Sequence, residues 1–188
     1  VKNWNTFRQS FRLSVMSEFT ANDARLILSR DDAALLLEKC HEFGFFVHRN
    51  GADQPIYRLH SLFREALERL LPSYAAEDEV RAIHMKAASH FVERGAFRQA
   101  IEHLIASGNV DLAVALISKE SVRLIAFEAT EQLRLWLNLL PDELIRGNGH
   151  LLYAESHVFF HKDPDLAMRS LELALDLFES RDDKAMQL

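Results

Sequence analysis

The sequence predicts a mainly α chain in two parts: a small mixed domain over residues 1–75 and an all-helical region over residues 76–188. Three observations carry this. The apolar period drops to that of strands only between Phe45 and His60, around the turn cluster Asn50-Gly51-Ala52-Asp53-Gln54-Pro55. Helical spacings flank that hairpin on both sides. Beyond Glu77 only helical spacings occur, punctuated by Gly95, Gly108 and Pro141.

The elements follow in order. Residues 5–16 read as a helix with Phe7, Phe11 and Val15 on one face. Thr20 opens a second helix, with Asp23 at the position where a carboxylate can accept from the cap's own N–H. Ala24, Leu26, Ile27 and Leu28 supply its buried side. Asp31 or Asp32 opens a third helix, on which Ala34, Leu35, Leu37, Cys40 and His41 pack, and Gly44 ends it. Residues 45–49 and 56–60 suit two strands. Ser61 then caps a closing helix whose stripe is Leu62, Phe63, Ala66, Leu67, Leu70 and Leu71, and Pro72 stops it. Three helices, a β-hairpin wing and a closing helix describe a winged helix.

In the second part, Val80, Ile83, Ala87 and Phe91 line one helix, and Phe97, Ala100, Ile101 and Leu104 the next. Val110, Ala113, Leu116 and Ile117 line a third. Residues 121–140 hold one broken helix or two short ones, including Trp136. Residues 150–161 and the stretch opened by Asp163-Pro164 supply the last pair. Gly95-Ala96-Phe97-Arg98-Gln99-Ala100 resembles Gly108-Asn109-Val110-Asp111-Leu112-Ala113, and Asp163-Pro164-Asp165-Leu166-Ala167 echoes both. A turn, an apolar residue and a small alanine let helices approach closely, the logic of tetratricopeptide (TPR) arrays. The strict pattern of those arrays is absent, so the expectation is an irregular, TPR-like α-solenoid.

Composition narrows the function. Net charge is −6. Residues 1–75 hold ten Lys/Arg against nine Asp/Glu, and the remainder twelve against nineteen, so neither part has the basic balance of a nucleic-acid binder. The wing-bearing domain's recognition helix, residues 31–43, carries Asp31, Asp32, Glu38 and Glu42 against Lys39 alone, and its wing offers Arg49 with Asp53; DNA phosphates would be repelled. No apolar run approaches the ~20 residues that span a bilayer. A single cysteine, Cys40, fits a reducing, cytoplasmic setting. The chain starts at Val1 and stops at Leu188 inside a helical pattern, as a piece of a longer protein would.

No glycine-rich phosphate loop occurs, and nothing in the sequence marks an enzyme. His157 and His161 sit four apart near His150, yet no H-E-x-x-H frame surrounds them, so no metal site is expected. Trp136 reads as packing, and Glu128, Glu131, Asp142 and Glu143 as a solvated face. His60 is the exception. Strand alternation puts Tyr57 and Leu59 on one face and Ile56, Arg58 and His60 on the other, so His60 and Arg58 point away from the core.

Tyr57-Arg58-Leu59-His60-Ser61-Leu62-Phe63-Arg64 resembles the Tyr-Arg-aromatic-His-x-Leu-Phe-Arg signature of the MalT-like regulators, the large ATP-binding LuxR-type transcription activators. Phe11-Arg12-Leu13-Ser14-Val15-Met16, residues 37–47, Gly95-x-x-x-x-Ala100-Ile101-Glu102-His103 and Leu135-Trp136-Leu137-x-x-Leu140-Pro141 resemble further segments of that family, in its order. The resemblance implies a STAND-type switch: an upstream ATPase domain using ATP, ADP and Mg, this winged helix, downstream sensor helices that bind a small-molecule inducer, and a C-terminal DNA-binding domain. It implies that His60 touches an ADP phosphate in the intact protein, where related switch ATPases carry apolar-His-Asp; here Ser61 replaces the aspartate. It also makes Arg58 and Arg64 candidates for docking on the ATPase domain. Two other readings stay open from the residues: a free-standing winged-helix DNA-binding regulator, and a protein-binding helical-repeat scaffold.

Overall fold

A computed structural model describes residues 11–42, 47–51 and 55–180. The expected helix before residue 11, Phe45, Phe46, Gly44 and Asp53 lie wholly or partly outside that range. The chain is mainly helical with one small sheet, as the sequence predicts, and it divides into two compact units.

The first unit runs to Ala96 and includes residues 106–108. Residues 11–13 are helical and bury Phe11 and Leu13. Strand β1 (Phe19–Thr20) leads into helix α1 (Ala21–Leu28), which Thr20 caps through its side chain while Asp23 returns the bond, the reciprocal pair expected. Helix α2 (Ala33–Glu42) follows, then strands β2 (Val47–Asn50) and β3 (Ile56–Leu59), helix α3 (Ser61–Tyr74) and helix α4 (Glu77–Glu93). The sheet order is β1-β3-β2, antiparallel throughout. The strand β1 is an addition to the expected hairpin. Two residues are too few to show a period, but Phe19 pairs with Tyr57 in register and their rings stack 6.3 Å apart. Phe11, Met16, Phe19, Leu37, Tyr57, Leu67 and Leu71 make the core.

Several local expectations change. The apolar face of α2 is Ala33, Leu37 and Cys40, whereas Leu35 is 57% exposed and Ala34 and His41 are exposed with it. Ser61 is the first helical residue, not the cap: the first intrahelical bond of α3 runs from the Arg64 N–H to the His60 carbonyl at 2.9 Å, which makes His60 the N-cap. The helix α3 also passes Pro72. One missing donor near the end removes one bond, and the Ala75 N–H still closes the last turn on the Leu71 carbonyl at 2.9 Å. Its buried stripe is reduced to Leu67 and Leu71, with Leu62 and Leu70 exposed. Helix α4 packs on α1 and so belongs to the first compact unit.

The second unit comprises residues 97–105 and those from Asn109 onward. Its helices are α5 (Phe97–Ala106), α6 (Val110–Ala126), α7 (Thr130–Leu137), α8 (Asp142–Arg146), α9 (Gly149–Phe159) and α10 (Pro164–Ser180). Ile101, Ile117, Leu133, Trp136, Leu151 and Leu152 are fully buried. Helices α9 and α10 approach closely at Gly149: a Cβ there would lie 2.9 Å from the Phe178 ring and 3.3 Å from the Ala174 carbonyl.

The turns explain the internal repeat. The Ala96 N–H reaches back to the Phe91 carbonyl (2.8 Å), Asn109 to Leu104 (3.0 Å) and Ala129 to Leu124 (2.8 Å). Each is the six-residue closure of a Schellman turn, with a left-handed residue before the donor: Gly95 (φ 69), Gly108 (φ 79) and Glu128 (φ 55). The third copy is thus at residues 128–130, where the glycine is a glutamate. The Asp163-Pro164 echo is a different device, a helix start in which the Asp163 carboxylate accepts from the Leu166 N–H. Among the described residues, no helix is long and apolar enough to cross a membrane.

Candidate functional site

The corner where β3 enters α3 gathers the expected site residues. Alternation along β3 buries Tyr57 and Leu59 and turns Ile56 and Arg58 outward, as the sequence predicts. Tyr57 anchors the strand: its hydroxyl donates to the Glu38 carboxylate on α2, and burial together with that carboxylate pushes the phenol up to about 12. Register then places His48 of β2 directly across from Arg58. The His48 and His60 rings face each other at 6.0 Å between centroids, tilted by 41°.

Arg64 comes one turn into α3, and it lines the same open cleft as His48, Arg58, His60 and Ser61, a space of about 390 Å³. Arg58 pairs with Glu18 and Arg64 with Glu68. No side chain caps the α3 N-terminus, and its first turn holds no acidic residue. The cleft therefore joins two imidazoles, two guanidiniums, the hydroxyls of Ser17 and Ser61 and the positive end of a helix, with one carboxylate, Glu18, held by Arg58. The donors are groups that together bind an oxyanion such as phosphate.

His60, Arg58 and Arg64 are thus brought together. His48 is the residue sequence reasoning missed. Its signal was present in the hairpin, since fixing the register on Val47 opposite Leu59 sets His48 against Arg58. Trp136 is wholly buried, with Phe97 edge-on at 6.1 Å, so it is core. His157 meets Tyr153 and His161 meets Phe160. No cluster of metal-ligating side chains occurs among the described residues. On the helix that would read DNA, Glu38 also pairs with Arg49 of the wing at 3.2 Å, so the wing's arginine is already neutralised by a carboxylate.

A second charged cluster lies inside the first unit. Asp23, besides bonding the Thr20 N–H, accepts from His90 in the last turn of α4 and from Nη1 of Arg94, the residue that ends it, at 2.9 Å. Burial raises the Asp23 carboxyl, but the bonds from Thr20 and His90 and the Arg94 charge outweigh it and hold the group below its ordinary range. This cluster bolts α4 to α1.

Residues 11–79 match the family described as the MalT winged helix domain. The chain is 26% identical over 119 residues to "Serine/threonine-protein kinase PknK" of Mycobacterium tuberculosis, which covers 63% of this chain and 11% of that protein. It is 25% identical over 140 residues to "HTH-type transcriptional regulator MalT" of Vibrio campbellii, covering 74% of this chain and 15% of that one. The same regulator of Vibrio cholerae is 26% identical over 134 residues, with 71% and 15% covered. The chain therefore spans only a small part of the length of the curated relatives it matches. No solved structure matches it.

Proposed function

Residues 11–79 being a winged helix domain of the MalT type, we propose that the chain is a non-catalytic signal-transduction module of a STAND-type ATPase transcription activator. It couples the nucleotide state of an ATPase domain to a helical array that senses an inducer. One observation carries the reading: the cleft at the β3–α3 corner, where His60, Arg58 and Arg64 converge on the outer face of the winged helix. An ATPase domain presenting bound ADP to this corner would offer a phosphate to the His60 imidazole N–H. A contact made only in that arrangement favours the closed, inactive form by as much as the contact is worth. Arg58 and Arg64 would dock on the same domain. Their present partners, Glu18 and Glu68, are local and partly solvated, and exposed pairs of this kind contribute at most about 1 kcal/mol, so exchanging them costs little.

In this reading ATP, ADP and Mg belong to the upstream domain, the inducer to the sensor helices, and DNA to a separate C-terminal domain; the whole works in the cytoplasm. The match to a protein named as a kinase fits a module that relays state for parents of differing chemistry. The test is His60→Ala in the intact parent, read as the rate of ADP release and the basal transcription level. Faster release with raised basal output is expected. Unchanged release and output would end the assignment of His60.

A further inference from the structure

The second unit pairs its arginines by a simple local rule, and two of them break it. Arg98 bonds Glu102, Arg123 bonds Glu120 and Arg134 bonds Glu131, each a carboxylate three or four residues away on the same helix. Arg146 has Asp142 four residues before it, and Arg169 has Asp165 four before and Glu172 three after. Neither makes an ion pair with these or with any other described residue. Both instead line one groove of about 420 Å³ among α8, α9 and α10. That size suits a small molecule.

The groove's chemistry is specific. Ile145 and Leu152 give it a buried apolar floor, and Leu166 and Leu173 give it an apolar wall. The Glu155 carboxylate also lines it, and there it accepts from the Ser170 hydroxyl at 2.6 Å. Asp142 lines it as well. Two carboxylates make the groove a poor trap for a bare inorganic ion. Two unpaired guanidiniums beside an apolar floor favour an oxyanion that carries its own apolar body. We propose that this groove binds a metabolite-sized organic anion, a carboxylate or phosphate ester on a short apolar body, held by Arg146 and Arg169. The proposal stands apart from the nucleotide reading of the β3–α3 corner.

The test is NMR titration of the ¹⁵N-labelled 188-residue chain with hexanoate, hexyl phosphate, hexanol and inorganic phosphate, each to about 10 mM, the range expected for ligands of this atom count. Saturable shifts on α8–α10 with hexanoate or hexyl phosphate are expected, and whichever binds more tightly identifies the head group. Arg146→Gln with Arg169→Gln should weaken that binding at least about tenfold, the loss expected for a charge-assisted bond, while Arg98→Gln leaves it unchanged. Both groove arginines are exposed, so the thermal midpoint of the double variant should stay put, which separates lost binding from lost fold. Equal binding of hexanol would make the groove merely apolar. Equal binding of inorganic phosphate would make it a bare charge patch. Absence of saturation, shifts scattered over other helices, or undiminished affinity in the double variant would equally overturn the proposal.

Discussion

Replacing Asp23 tests how the first unit is held together. Its carboxylate is 3% exposed and serves Thr20, His90 and Arg94 at once. In Asp23→Ala the Thr20 hydroxyl keeps its own bond to the N–H of residue 23, so only the returning half of the cap is lost, about 0.5–1 kcal/mol. His90, itself 9% exposed, is left without its carboxylate, at about 1–3 kcal/mol. Arg94 is half exposed and recovers water, so its share is at most about 1 kcal/mol. The combined loss is about 1.5–5 kcal/mol, which for a unit of this size lowers the thermal midpoint by roughly 6–40 °C. Circular dichroism melts of the 188-residue chain measure it. Asp23→Asn keeps the size and one acceptor and should lose about half as much, a fallback if the alanine variant does not fold. The acid limb gives an independent check. The folded carboxyl titrates below its ordinary 3.8, so its stabilisation is complete above that pH and fades as pH falls through the lower, folded value. The wild-type chain should lose stability in that window, and Asp23→Asn should lose less there. A midpoint shift under about 2 °C for the alanine variant, with an unaltered acid limb, would refute the bolt.

Three other outcomes are expected. Gly149→Ala should destabilise by about 1–3 kcal/mol in urea titration, because the added methyl meets the Phe178 ring and the Ala174 carbonyl; pairing it with Phe178→Leu should recover part of the loss. Glu128→Gly should stabilise by about 1 kcal/mol, since a left-handed φ of 55° strains any residue with a side chain; an unchanged or lowered urea midpoint would contradict the turn assignment. Fluorescence anisotropy of labelled duplex DNA should stay flat when the chain is added at low salt, and a salt-sensitive rise would revive the DNA-binding reading.

What the sequence disclosed and what it withheld follow from the range of each interaction. The Thr20–Asp23 cap was legible because both partners lie within one turn, and the outward Arg58 and His60 because alternation is local. The strand β1 was not, since two residues become a strand only by lying against Tyr57 and Ile56. His48 needed the register of the hairpin, not merely its existence. Helix α4 was placed with the array because its periodicity is purely helical; its attachment to α1 runs through side chains 67 and 71 residues apart, which no window can join. On α2, helical spacing placed Leu37 and Cys40 correctly but took Ala34 and Leu35 as inner instead of Ala33, because the neighbours of the helix decide which side of the stripe is covered.

The Schellman turns have a consequence for how such a chain is made. Each is closed by a bond spanning five residues and a single left-handed hinge, so it can form as the chain emerges, before any distant partner exists. Low contact order of this kind speeds folding. It also makes each helix and its turn a transferable segment: duplicating or deleting one changes the length of the array without breaking a bond inside its neighbours. The left-handed position of the third turn is held by Glu128 rather than glycine, so the same hinge forms without the residue that makes the other two recognisable. Segments can thus share one turn geometry where their sequences no longer show a readable repeat.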